Sequence, residues 1–115
     1  DPERAVLDAV PVLDVLDATD DELLQRYGRW YLHDRQPRWL RRNAVIVLGN
    51  TGDGRDPRVE AALRRVLADP DPIVRSHAVW ATARLHRFDL LDEARIGQDA
   101  DPMVGDEWRA VQEAR

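Results

Sequence analysis

The chain has 115 residues, 43% of them hydrophobic and 34% charged, with a formal net charge of −5. That length accommodates one core, and that balance belongs to a folded domain with a highly charged surface, which excludes a disordered chain. No apolar run approaches the roughly 20 residues that a membrane-spanning helix needs, and the lack of cysteine excludes disulfides, thiolate catalysis and cysteine-held clusters within this chain.

The opening "DPERAVLDAV" has neither an initiator Met nor a basic region ahead of an apolar run. It reads as a domain boundary and not as a targeting peptide, and the expected compartment is cytoplasmic. Residues 5–16 are apolar enough for a helix, which Pro11 interrupts. Thr19-Asp20-Asp21-Glu22 has the spacing of a capping box, with Leu23, Leu24 and Tyr27 behind it. Residues 29–43, "RWYLHDRQPRWLRRN", then hold five arginines and three large aromatics.

From there on, helix punctuation is frequent. Gln36-Pro37 introduces Leu40, Ala44, Val47 and Leu48 at helical spacing, and Gly49 with Gly52 is expected to stop that helix. Asp-Pro pairs at 56–57, 71–72 and 101–102 each precede another such set. An Asp side chain accepts from the orphan N–H groups of a helix start, and Pro at the first helical position has no N–H to lose. No segment alternates with period two, so the fold class is all-α, with about six or seven short helices.

The helices repeat. Val74-Arg75-Ser76-His77-Ala78 aligns with Leu40-Arg41-Arg42-Asn43-Ala44, and "ADPDPIV" returns as "QDADPMV" thirty residues later. Helix pairs at such periods stack into an α-solenoid, because one pair cannot bury its own apolar stripe. The expected architecture is one domain over 1–115 with about three helix pairs. Residues 1–36 would supply acidic capping helices and a basic, aromatic loop, and 37–85 the core repeats. Residues 86–115 would form a degenerate capping repeat, since Gly105 and Asp106 stand where Arg75 and Ser76 stood.

All seventeen basic residues are arginine. Between residues 26 and 65, ten Arg face four acids, a net of +6; the remainder has seven Arg and eighteen acids, a net of −11. Local charge decides what a surface attracts within a Debye length of roughly 8–10 Å. Arg38, Arg41 and Arg42 are three and four apart on one helix and can project together. Arg29 and Arg35 precede them in a loop, and Arg64 and Arg65 follow on the next helix. A row of guanidiniums on a rigid face suits phosphates. The competing reading is a solvated Arg face with local pairs, such as Arg64 or Arg65 with Glu60. Trp30, Tyr31, Trp39 and Trp80 allow a base-stacking reading, but core packing is the expectation for them, with Trp80 packing between repeats.

Chemistry beyond binding finds little support. His33, His77 and His86 do not cluster as metal ligands, and His77 occupies the repeat position of Asn43, which makes a structural role the expectation. Ser76 lacks the surroundings of an activated nucleophile. "GNTGDG" at residues 49–54 follows a helix, not a strand, and has no Lys-Ser or Lys-Thr, so it reads as a helix stop and turn. No catalytic, metal or cofactor site is expected in this chain.

"LRRNAVIVLGNTGD" followed by "VEAALRRVLADPDPIVRSHAVWATARL" resembles the C-terminal HEAT-like repeat domain of the tRNA epoxyqueuosine reductases. Arg42-Asn43, Leu48-Gly49-Asn50 and His77-Ala78-x-Trp80-Ala81 carry the specific part of the likeness, and "LDATDDELLQRYG" resembles the helix that leads into those repeats. The resemblance covers roughly residues 13–86 and implies a HEAT-like solenoid. It further implies a parent oxidoreductase that acts on tRNA, with cobalamin and two [4Fe-4S] clusters in N-terminal catalytic domains and none in this chain. In that family the repeats help to hold the tRNA, here through Arg41, Arg42 and Asn43 with Arg38 nearby. The expected nucleic-acid-binding set is therefore Arg29, Arg35, Arg38, Arg41, Arg42 and Asn43, with tRNA and the catalytic domains as partners. Two other readings are a structural or protein-binding scaffold that braces a different iron–sulfur enzyme, and a nucleic-acid enzyme resembling the HEAT-type DNA glycosylases, for which Asp34 is the candidate carboxylate in the basic stretch.

Overall fold

The computed structural model describes residues 12–27 and 36–115. Among them run seven α-helices and no strand: α1 (Val12–Asp17), α2 (Asp20–Tyr27), α3 (Pro37–Thr51), α4 (Pro57–Leu67), α5 (Pro72–Arg84), α6 (Phe88–Glu93) and α7 (Pro102–Ala114), with a 3-10 turn at Ile96–Gln98 before α7. Arg29, Arg35, Asp34, Trp30, Tyr31 and His33, all singled out above, lie outside the described residues. So does the Pro11 interruption. No described helix is long and apolar enough to cross a membrane.

Cap chemistry starts the helices where the sequence places it. Asp56, Asp71 and Asp101 each accept a hydrogen bond from the backbone N–H two residues on, at 2.8, 2.9 and 2.9 Å, with Pro in the first turn. At α2 the capping box closes both ways: the Glu22 N–H donates to Thr19 Oγ1 at 3.2 Å, and the Thr19 N–H donates to Glu22 Oε1 at 3.3 Å. The Thr19 backbone N–H, ahead of its hydroxyl, holds the Glu22 carboxyl below its ordinary range.

The stop of α3 differs from the expectation. The helix runs through Gly49 and ends at Thr51, and Gly52 closes it with an extended backbone at φ −75°, not a left-handed one. Gly49 has a packing role. A Cβ built there would stand 2.6 Å from the Trp80 ring and 3.0 Å from Ala81 Cα, so the missing side chain lets α3 and α5 close on each other. Left-handed residues instead follow α5, at His86 with φ 62°, and α6, at Arg95 with φ 55°. At the end of α5 the N–H of Arg87 donates to the Thr82 carbonyl and that of His86 to the Ala83 carbonyl, at 3.0 and 2.9 Å. This is the double closure of a Schellman end, with histidine where glycine is usual.

The helices form two layers. Long helices α3, α5 and α7 lie side by side, and α1, α4 and α6 line their inner side, with α4 packed on α5 and α1 on both α3 and α4. One core runs through the stack. It takes Val15, Leu16 and Leu23 from the N-terminal helices, Leu63, Val66, Val74 and Val79 from the middle, and Leu90, Leu91, Ile96 and Val104 from the C-terminal part. All of these are at most 3% exposed. Trp80 packs against this core between α3 and α5, as expected for an inter-repeat residue.

Candidate functional site

Arginines bind the turns of the stack together. Arg75 spans two repeats: its Nε and Nη2 donate to Asp99 at 2.9 and 3.2 Å, and its Nη1 donates to the carbonyls of Asp69 and Pro70. That fork holds the Asp99 carboxyl below its ordinary range. Asp99 also accepts from the N–H of Asp101, as Asp69 does from that of Asp71, so the repeated "D-x-D-P" builds the same turn twice. At the opposite end Arg87 joins three elements, donating to the Gly54 carbonyl at 2.6 Å, to Glu60 at 2.5 Å and to Asp89 at 3.0 and 2.9 Å. Asp89 and then Glu60 raise its basicity, and its guanidinium in turn holds both carboxyls down. Arg64 pairs with Glu60, as its helical spacing suggests, and also with Glu93 on α6. Arg65 does not share Glu60; it reaches back to Asp17 at 2.8 Å.

The expected binding set enters the same bonding. Arg38 Nε lies 2.9 Å from Asp71 Oδ2, the cap of α5. Arg41 is drawn in: its guanidinium pairs with Asp20 and donates to the Ala18 carbonyl at 2.9 Å, and its side chain is only 13% exposed. Arg42 turns the other way and donates to Asn43 Oδ1 at 2.8 and 3.1 Å, with its guanidinium 4.9 Å from the centre of the Trp39 ring. Adjacency on the helix therefore does not produce one cationic ridge. Two of the three guanidiniums are taken by carboxylates, because the turns of neighbouring repeats present acids to the start of α3. Trp39 is half-buried, stands apart from the core cluster and has Arg42 and Arg38 over its ring, so it belongs to the surface and not to the core.

A hollow of about 500 Å³ lies among these pairs, with Asp20, Arg38, Arg41, Arg65 and Asp71 in its wall, and two further hollows open along the long helices. The repeat register places Asn43, His77 and Glu107 in one row and Ile46, Trp80 and Ala110 in the next. Ile46, Ser76, His77, Trp80 and Glu107 line an open groove of about 330 Å³. Beyond Trp80 a second hollow of about 240 Å³ lies between α5 and α7, with Ala83, Phe88, Val111 and Ala114 in its wall. Arg84 stands with its guanidinium 5.7 Å from the Trp80 ring centre. Ser76 and His77 have backbone roles: the Ser76 hydroxyl donates to the Ile73 carbonyl at 3.0 Å, and His77 Nδ1 lies 2.8 Å from the same oxygen. Among the described residues no group of three acidic or histidine side chains is placed to hold a metal ion. Sequence reasoning missed Glu107, Ile46 and Phe88 as parts of an open surface. The thirty-residue offset that aligns Glu107 with His77 was the available signal.

Compared with known proteins, the family described as HEAT repeats matches the chain over residues 29–104. Searches of the curated proteins and of the solved structures returned no match.

Proposed function

Since the chain belongs to the HEAT-repeat family, we propose that it serves as a non-catalytic docking scaffold, holding a protein partner against the outer face of α3, α5 and α7. One observation carries this reading. Arg38, Arg41, Arg65, Arg75 and Arg87 are bound to the protein's own acids, while Ile46, Trp80 and Phe88 remain partly accessible in two grooves along the long helices. Aromatic and aliphatic side chains between polar rows are the makings of a protein contact, in which aromatic anchors supply much of the affinity. The hydroxyl of Ser76 and one nitrogen of His77 bond to the backbone, which leaves neither arranged as a nucleophile–base pair.

A narrower version keeps the resemblance to the epoxyqueuosine reductases. There the chain would be the tRNA-docking tail of an oxidoreductase whose cobalamin and iron–sulfur clusters belong to its catalytic domains. Arg42 favours it, as the member of the expected set that meets only Asn43 and the Trp39 ring among the described residues. Titrating the chain with tRNA at low and at moderate salt, alongside Arg42→Ala, separates the two. The docking scaffold predicts no tRNA complex that depends on Arg42. A salt-sensitive complex that Arg42→Ala weakens, with a salt slope smaller by about one, would establish the tRNA reading instead.

A further inference from the structure

The groove on the outer face has a chemical bias. The Ser76 hydroxyl gives its proton to the Ile73 carbonyl, so only lone pairs remain on its oxygen. A carbonyl can only accept, so His77 Nδ1 carries a proton there, and in the neutral imidazole Nε2 is the acceptor. Glu107 adds a carboxylate, and the positions three and four residues away on its helix, Met103, Val104, Ala110 and Val111, hold no charge. The Trp80 ring already draws the Arg84 guanidinium toward its face. A carboxylate, an imidazole and a π face line this one groove beside the apolar side chain of Ile46. The group that satisfies them together is a cation that only donates, on an apolar stem.

The occupant has a second requirement. Past Trp80 lies the second hollow, walled by Ala83, Phe88, Val111 and Ala114 with Arg84 and His86 beside them, and with the Arg115 guanidinium 4.5 Å from the centre of the Phe88 ring. His77 and Arg84 mark the two levels along α5, seven residues or about 10.5 Å apart at 1.5 Å per residue. In a polyproline II segment, with three residues per turn and a rise of about 3.1 Å per residue, side chains three positions apart share one side and are separated by about 9 Å. Building on the docking reading above, we infer that this face receives a protein segment in the polyproline II conformation, with a Lys or Arg side chain in the Glu107 groove and a large apolar side chain, three residues away, in the Phe88 hollow. The same lone pairs and carboxylate disfavour a phosphate backbone at this position.

Panning a displayed library of random peptides, about twelve residues long, against the chain and its Glu107→Gln variant tests this. Thermal melts of both proteins confirm that the fold is kept. The selected peptides are expected to pair a basic residue with a large apolar one three positions away. Their affinity is expected to fall about tenfold against Glu107→Gln, the loss that goes with one charge-assisted bond. Peptides that bind both proteins equally would overturn the cation site and leave the docking scaffold standing. Failure to select any peptide, together with binding of a single-stranded RNA 20-mer, would overturn both.

Discussion

Gly49 and His86 show how a single residue's conformational needs can be set from outside its own helix. Isolated in a helix, Gly49 is a liability of about 1 kcal/mol against alanine. Here a methyl group would enter the space of the Trp80 ring and of the Ala81 backbone, and backbone cannot yield as the tip of a side chain can. Overpacking of this kind costs about 1–3 kcal/mol. Gly49→Ala is therefore expected to lower stability by about 1–2 kcal/mol despite the better helix former, as urea unfolding would show. His86 presents the opposite case. Its left-handed backbone strains any residue with a Cβ, and its side chain is exposed. After allowing for glycine's extra chain entropy, His86→Gly is expected to raise stability by about 0.5–1 kcal/mol in the same assay.

For whole elements, the Asp-Pro starts do most to set boundaries, and they do not all carry the same load. Asp56 and Asp101 each cap one helix. Asp71 caps α5 and also holds Arg38 of α3. Removing a cap costs about 1 kcal/mol, and the Arg38 pair, partly exposed, adds little. Asp71→Ala is expected to destabilise by about 1–2 kcal/mol, and a double-mutant cycle with Arg38→Ala would isolate the pair as well under 1 kcal/mol. Helix starts were legible because capping is decided within three residues of chain. The end of α3 was not, because glycine serves both as a stop and as a close-contact residue, and only the position of α5 distinguishes the two.

Across the whole molecule, acidic side chains are bound by arginines along both ends of the stack. Glu60, Asp89 and Asp99 are each held below their ordinary ranges by guanidiniums, and Glu22 by its capping box. A carboxyl whose folded pKa is depressed contributes stability that is fully present above its unfolded pKa and is lost as pH falls through the folded value. With unfolded values near 4, the melting temperature is expected to vary little from about pH 7 to 5 and to drop steadily below about pH 4. Calorimetry across that range checks it. A protein whose melting temperature rose on acidification would contradict the ion pairs described above.

Fold class, the caps at Thr19, Asp56, Asp71 and Asp101, the inward positions of Leu40 and Ala44, and the period of the repeats were all determined by the amino-acid sequence alone. The caps and inward positions depend on residues within one or two helical turns of one another, where backbone geometry leaves few alternatives, and the period follows from the return of the same local pattern after 30–34 residues. The destinations of the arginines were decided only by tertiary structure. Arg41 meets Asp20 across 21 residues of sequence, Arg75 meets Asp99 across 24 and Arg65 meets Asp17 across 48. A guanidinium on a flexible stem has no preferred partner until neighbouring repeats bring an acid within reach. Stacking therefore decided which cations turned inward, and left Glu107, Trp80 and Ile46 as a surface on which a partner can dock.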